Sequence, residues 1–119
     1  MSAGVLVVDD NAAFRRIAGR ALAARGLRVV GEAESVATAM AAALELRPAA
    51  ALVDVGLPDG DGISLAHDLT ALPWRPRVVL TSSDRDAAGP DDVRDCGADA
   101  FVPKEDLATA ALEQLLGPV

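Results

Sequence analysis

Tyrosine is absent, and all aromatic residues together make up 3% of the chain. Stacking platforms for bases or sugars need more than that. Cations are also scarce: Lys and Arg number 11 against 18 Asp and Glu, a net charge of −7. This balance argues against a nucleic-acid backbone or an anionic membrane as direct partner, since both reward positive charge. The single cysteine, Cys96, excludes an internal disulfide and a multi-cysteine metal site, and is expected to be a small buried residue near a helix end. No run approaches the ~20 apolar residues of a membrane span. No basic start, apolar run and cleavage site follow one another as in a signal peptide. These absences set the expectation of a cytoplasmic, reducing setting.

What remains is globular in composition: 119 residues, 51% hydrophobic and 24% charged, the size of one domain spanning 1–119. Val5-Leu6-Val7-Val8 is an unbroken apolar run of the kind found in strands buried on both faces. Asn11 is placed to cap a helix over 12–24, with Phe14, Ile17, Ala21 and Leu22 on its apolar face and Gly26 after its end. A second strand is expected over 27–30, then a helix from the Ser35 cap to about Leu46, stopped by Pro48. Residues 49–53 form a third strand, followed by the turn-rich run 56–62 and a helix over 63–72. Residues 78–80 make a fourth strand. A loop and a short helix over 90–96 follow, with Gly97 as C-cap. A fifth strand over 100–102 and a last helix over 107–116 complete the pattern. Such alternation predicts an α/β fold: an open parallel sheet with helices on both faces and right-handed connections.

In such sheets ligands sit at the carboxyl ends of the strands. Asp9 and Asp10 follow the first strand, Asp54 ends the third, Thr81 ends the fourth and Lys104 follows the fifth. The fold therefore brings all five together. Two like charges ~4 Å apart cost about 4 kcal/mol at an effective dielectric of 20, so three carboxylates need a counter-charge. Carboxylates, a backbone carbonyl and waters suit Mg²⁺, which also takes phosphate oxygens. Lys104 is the only lysine, against ten arginines. A compact ammonium pairs with a single anionic oxygen in a way the planar guanidinium does not. Thr81 is the first hydroxyl after an apolar strand, with Ser82 and Ser83 as neighbours able to take the same part. No His or Cys belongs to the set; His67 falls on the third helix, facing solvent. The assembly suits in-line attack of Asp54 on a phosphoryl group, with Mg²⁺ and Lys104 neutralising the equatorial oxygens.

The run 5–10, the segment Asp54-Val55-Gly56-Leu57-Pro58-Asp59-Gly60-Asp61-Gly62, the strand ending in Thr81 and the run Phe101-Val102-Pro103-Lys104 together resemble the receiver domain of two-component response regulators over essentially the whole chain. The resemblance implies the flavodoxin-like doubly wound (βα)5 fold, with strand order 2-1-3-4-5. It implies Asp54 as phosphoacceptor, and Asp9, Asp10 and the Gly56 carbonyl as Mg²⁺ ligands beside it. Thr81 would be the switch hydroxyl, Lys104 the phosphoryl partner and Phe101 the switch aromatic. A histidine kinase or phosphotransfer protein would be the donor. The face of the fourth helix, fifth strand and fifth helix would carry the output, including a possible homodimer. Two positions depart from the family pattern: Glu105 follows the lysine where proline is usual, and residue 60 is glycine. A cis bond at 104–105 would cost about 3 kcal/mol and is not expected.

Alternatives remain at this level. A phosphate-independent binding module would use the same fold. A phosphatase of the haloacid dehalogenase type needs a second Asp two residues after the nucleophile, where Gly56 stands. An EF-hand at 59–62 fails on Ile63 and Ser64. Gly56 would leave water open access to an acyl phosphate. Val29-Val30-Gly31-Glu32 resembles receivers joined to helix-turn-helix domains, so the sequence suits either a stand-alone regulator or part of a longer one whose DNA-binding residues lie elsewhere.

Overall fold

The structure, a computed structural model, describes residues 4–117. The first three and last two residues of the expected 1–119 unit lie outside it. Five parallel strands form one sheet: β1 (Gly4–Val8), β2 (Arg28–Ala33), β3 (Ala50–Asp54), β6 (Arg77–Ser82) and β7 (Ala100–Pro103). A two-stranded antiparallel ribbon, β4 (Gly56–Leu57) and β5 (Gly60–Asp61), lies between β3 and the third helix in sequence. The sheet order is β2-β1-β3-β6-β7, which is the expected 2-1-3-4-5 once the ribbon is set aside. The helices are α1 (Ala12–Ala24), α2 (Val36–Leu46), α3 (Gly62–Thr70), α4 (Pro90–Cys96) and α5 (Leu112–Leu116).

The period of two along each strand divides the core into two layers. Leu6, Val8, Ala51, Val53, Val78 and Leu80 join residues of α2, α3 and α4. Val5, Val7, Ala50, Leu52, Val79 and Val102 join Ala18 and Leu22 of α1 and Leu112 and Leu116 of α5. Continuing that parity to the strand ends puts Asp9, Asp54, Thr81 and Lys104 all on the α1/α5 side. Phe101 falls on the other side, packed toward α4.

Caps follow local chemistry. Asn11 accepts the Phe14 N–H, and Ser35 accepts the Thr38 N–H in a reciprocal capping box. Gly26 and Gly97 take the left-handed conformation after α1 and α4, at φ 75° and 81°. Cys96 is buried at the end of α4 and His67 is exposed, both as expected.

Four expectations need correction. Ile17 is 60% exposed, because α1 turns Ala18 and Leu22 to the sheet and leaves Ile17 one position around the helix. The second strand runs on to Ala33: a register shift between Val5 and Leu6 lets Gly31, Glu32 and Ala33 pair with Leu6, Val7 and Val8. The third helix begins at Gly62 and ends at Thr70, with Asp61 accepting the Ile63 N–H as its cap. The last helix shrinks to 112–116. A 3₁₀ turn covers Lys104–Asp106, and Ala111 (φ −80°, ψ 66°) sits in a tight turn closed by the Leu112 N–H on the Ala110 carbonyl.

The carbonyls that a continuous helix would use internally are taken by Arg25. Its guanidinium donates to Ala108 O at 2.9 Å and Ala110 O at 2.6 Å, and pairs with Glu113 at 3.2 Å. Arg25→Ala is expected to cost about 1–3 kcal/mol and to raise amide exchange across 107–116 before the rest of the sheet. Uniform exchange across the molecule would contradict this local role.

Candidate functional site

The strand ends place the acids. Asp9 continues β1, its N–H donating to Ala33 O at 3.0 Å, and its side chain is fully buried. Asp9 Oδ1 accepts the Asn11 N–H at 2.8 Å, and Arg15 donates to the Asp9 carbonyl at 2.7 Å, so the loop into α1 is tied at both ends of this residue. Asp10 is exposed beside it. Asp54 ends β3 opposite Thr81 of β6. One carboxylate oxygen from each of Asp9, Asp10 and Asp54 lies within 4.8 Å of the others.

Lys104 enters from beyond β7. Its Nζ stands 2.7 Å from Asp9 Oδ2 and 3.8 Å from Asp54 Oδ2. The first contact has the distance of an ion pair but not the angles of a hydrogen bond, so Asp9 Oδ2 is buried with no hydrogen-bond donor. The Lys104 ammonium is one counter-charge against three clustered carboxylates, which leaves negative charge for a second cation to neutralise. Three hard oxygen donors within 4.8 Å of one another, one of the carboxylates buried with an oxygen that accepts no hydrogen bond, fit a divalent ion such as Mg²⁺.

Burial pushes the Asp54 carboxyl up to about 6, from an ordinary 3.8. The negative charge of Asp9, and less so Asp10, adds to that; the Lys104 ammonium and the Gly56 N–H oppose it. Gly56, expected to offer its carbonyl, lies exposed in β4, and its N–H adds to Lys104 in favouring the ionised Asp54 carboxylate.

Thr81 is fully buried, and its hydroxyl donates to the Val102 carbonyl of β7 at 2.7 Å. The hydroxyl is thus spoken for inside the sheet. Ser82 Oγ accepts the Asp84 N–H at 3.0 Å and serves the local turn, while Ser83 is exposed. Thr81 is therefore the hydroxyl held between Asp54 and β7. Phe101 is half-buried on the opposite face. It lines a groove of about 390 Å³ with Ala88, Gly89, Pro90, Val93 and Arg94.

Three contacts escaped the sequence reading. The Phe14 ring lies under Lys104 Nζ, at 4.1 Å from its centroid. Asp59 does not serve a calcium loop: it accepts the N–H groups of Val36 at 2.7 Å and Ala37 at 3.1 Å, binding the β3–α3 connection to the start of α2, and these donors hold its carboxyl below the usual range. Arg85 of the β6–α4 loop pairs with Glu105 and Asp106, so the residue standing where proline is usual anchors that loop. Only Asp59 carried a signal, as a helix-capping residue type, and nothing local said which helix it would cap.

Comparison with known proteins places the fold among response regulators. The chain is 44% identical over 103 residues to the DNA-binding transcriptional activator DevR/DosR of Mycobacterium tuberculosis, covering 85% of this chain and 47% of that protein. The receiver domain of the response regulator NarL from the same species superposes with a TM-score of 0.78 at 30% identity, covering 96% of each chain. A response regulator from Burkholderia pseudomallei, solved with a phosphorylated aspartic acid and a calcium ion, superposes at 0.80 and 26% identity, covering 96% of this chain and 66% of that one. The chain spans about half the length of DevR/DosR, and 44% of the Escherichia coli regulator KdpE that it also matches. The sequence model of the response regulator receiver domain matches residues 5–116, and the chain belongs to that family.

Proposed function

We propose that the chain is a phosphorylation-dependent receiver that takes a phosphoryl group onto Asp54 from a histidine kinase or phosphotransfer protein. The observation that carries this reading is the convergence of the Asp9, Asp10 and Asp54 carboxylates within 4.8 Å, with Lys104 Nζ reaching Asp9 and Asp54. An Asp54 oxygen attacks phosphorus in line with the leaving group. The new O–P bond forms as the donor's N–P bond breaks, and the departing imidazole takes a proton from water. Asp9, Asp10, Asp54 and the Gly56 carbonyl would hold Mg²⁺, which when bound neutralises phosphoryl oxygens and the crowded acids. Lys104 pairs with one phosphoryl oxygen.

The product carries about −1.5 to −2 charges. Thr81 can donate to it only by giving up its bond to Val102. That exchange couples Asp54 to β7, where Phe101 borders the α4 groove. The face of α4, β7 and the segment ending in α5 would bind the downstream target or a second copy. No enzymatic role beyond the domain's own phosphoryl transfer and autodephosphorylation is proposed. The phosphorylated aspartic acid of the Burkholderia relative supports the chemistry, and DevR/DosR supports a place within a longer, DNA-binding regulator. Among the described residues no helix is long and apolar enough to cross a membrane, in keeping with a proposed cytoplasmic site of action.

Incubation with Mg²⁺ and acetyl phosphate should add about 80 Da, one phosphoryl group. The gain should vanish with a chelator and in Asp54→Asn. A chain that keeps its mass under these conditions would instead be a phosphate-independent binding module of the same fold, and one that gains it without Asp54 would carry the phosphoryl group on another residue, against the assignment of Asp54.

A further inference from the structure

We infer that Phe14 is a positioning residue of this site, holding the Lys104 ammonium over its ring at the point where a phosphoryl oxygen would meet it. The inference rests on the receiver reading for its consequence, but its geometry stands apart. Lysine is a flexible stem with a strongly hydrated tip, and left alone it samples many rotamers. Here Nζ is 2.7 Å from Asp9 Oδ2, 3.8 Å from Asp54 Oδ2 and 4.1 Å from the Phe14 centroid, inside cation–π range. The ring presents its negative face without forming a bond that a phosphoryl oxygen must break. It can therefore keep the ammonium in place when Asp9 turns to a metal ion.

The ring is itself fixed by the turn that carries Asp9. Asn11 donates its N–H to Asp9 Oδ1 at 2.8 Å and accepts the Phe14 N–H at 3.2 Å on its side chain. Asp9, Asn11, Phe14 and Lys104 thus close a ring of contacts. Phe14 also packs with the α1/α5 apolar layer, the same side of the sheet to which Asp9, Asp54, Thr81 and Lys104 belong by parity. A purely core role would ask only for apolar volume, which leucine supplies. A positioning role asks for a π-face, which leucine lacks and tryptophan or tyrosine restores.

Lys104 is the only lysine in the chain, so its ε-methylene signals are unambiguous in NMR. In the wild-type protein they should lie upfield from ring shielding, return toward the unshielded position in Phe14→Leu, and stay shielded in Phe14→Trp and Phe14→Tyr. The rate of acetyl-phosphate labelling at saturating Mg²⁺ should fall about 3- to 30-fold in Phe14→Leu and recover in the aromatic variants. Unshielded ε-methylenes in the wild type would overturn the inference, whether or not Phe14→Leu folds. So would a Phe14→Leu rate equal to wild type, or a slow rate that no aromatic restores. Failure of the wild type to gain mass would sink the receiver reading alone, leaving the NMR arm to decide on Phe14.

Discussion

Asp54→Asn should make the protein more stable at neutral pH while ending its capacity to carry a phosphoryl group. The carboxyl at 54 ionises near 6 in the folded chain, against 3.8 for an ordinary aspartate. That gap, at about 1.4 kcal/mol per tenfold, bounds the penalty of the ionised form at about 3 kcal/mol. Solvent at the mouth of the site reduces it to about 2. The sign follows from proton linkage. The folded state binds the Asp54 proton more tightly than the unfolded state, so stability falls as pH rises from 3.8 to about 6. The penalty is fully present above that window and absent below it. Asparagine removes the charge and keeps an oxygen for the Gly56 N–H. Urea unfolding at low salt should therefore show the variant ahead of wild type at pH 7.5, with the lead shrinking at pH 5. Mg²⁺ should close the gap by stabilising the wild type. A variant less stable than wild type at pH 7.5 would mean that Asp54 sits in a favourable field, contrary to its burial beside Asp9.

The parts of this site that were legible in the sequence share one property: their position follows from where a strand ends. Val5–Val8, Ala50–Val53 and Val78–Leu80 are buried on both faces, so each reads as an apolar run closed by the first polar residue. The parallel topology then gathers those polar residues at one edge, which is why Asp9, Asp54, Thr81 and Lys104 could be named together. What stayed hidden depends on partners far along the chain. The run 107–116 has the leucines of a helix, yet Arg25 takes its carbonyls from 83 and 85 residues away. Phe14 reads as core because its apolar neighbours are local, while the ammonium it meets comes from position 104. Gly31 and Glu32 conceal the end of β2, since an edge strand need not be apolar. Asp59 caps a helix that begins 23 residues earlier.

Gly62→Ala tests how tightly the phosphoacceptor strand is held, and its effect should exceed that of any surface change. A Cβ at 62 would stand 2.0 Å from the Asp54 carbonyl oxygen and 2.8 Å from Val55 Cα, both backbone atoms with no rotamer to yield. The Gly62 N–H also donates to Val55 O at 2.7 Å, pressing the start of α3 against the end of β3. A methyl group there must push the helix off the strand, break that bond and shift the Asp54 backbone. Overpacking of a rigid contact costs typically about 1–3 kcal/mol and more where nothing can move, so a loss of at least about 3 kcal/mol is expected. Because the displaced atoms belong to Asp54 and Val55, a variant that still folds should also lose Mg²⁺ binding, read as a thermal shift on adding the ion. Gly56→Ala is the matched control: a Cβ there meets nothing within 4 Å, so its stability should stay within about 1 kcal/mol of wild type. Equal stability of the two variants would show that the contact between α3 and β3 is looser than the 2.0 Å approach requires.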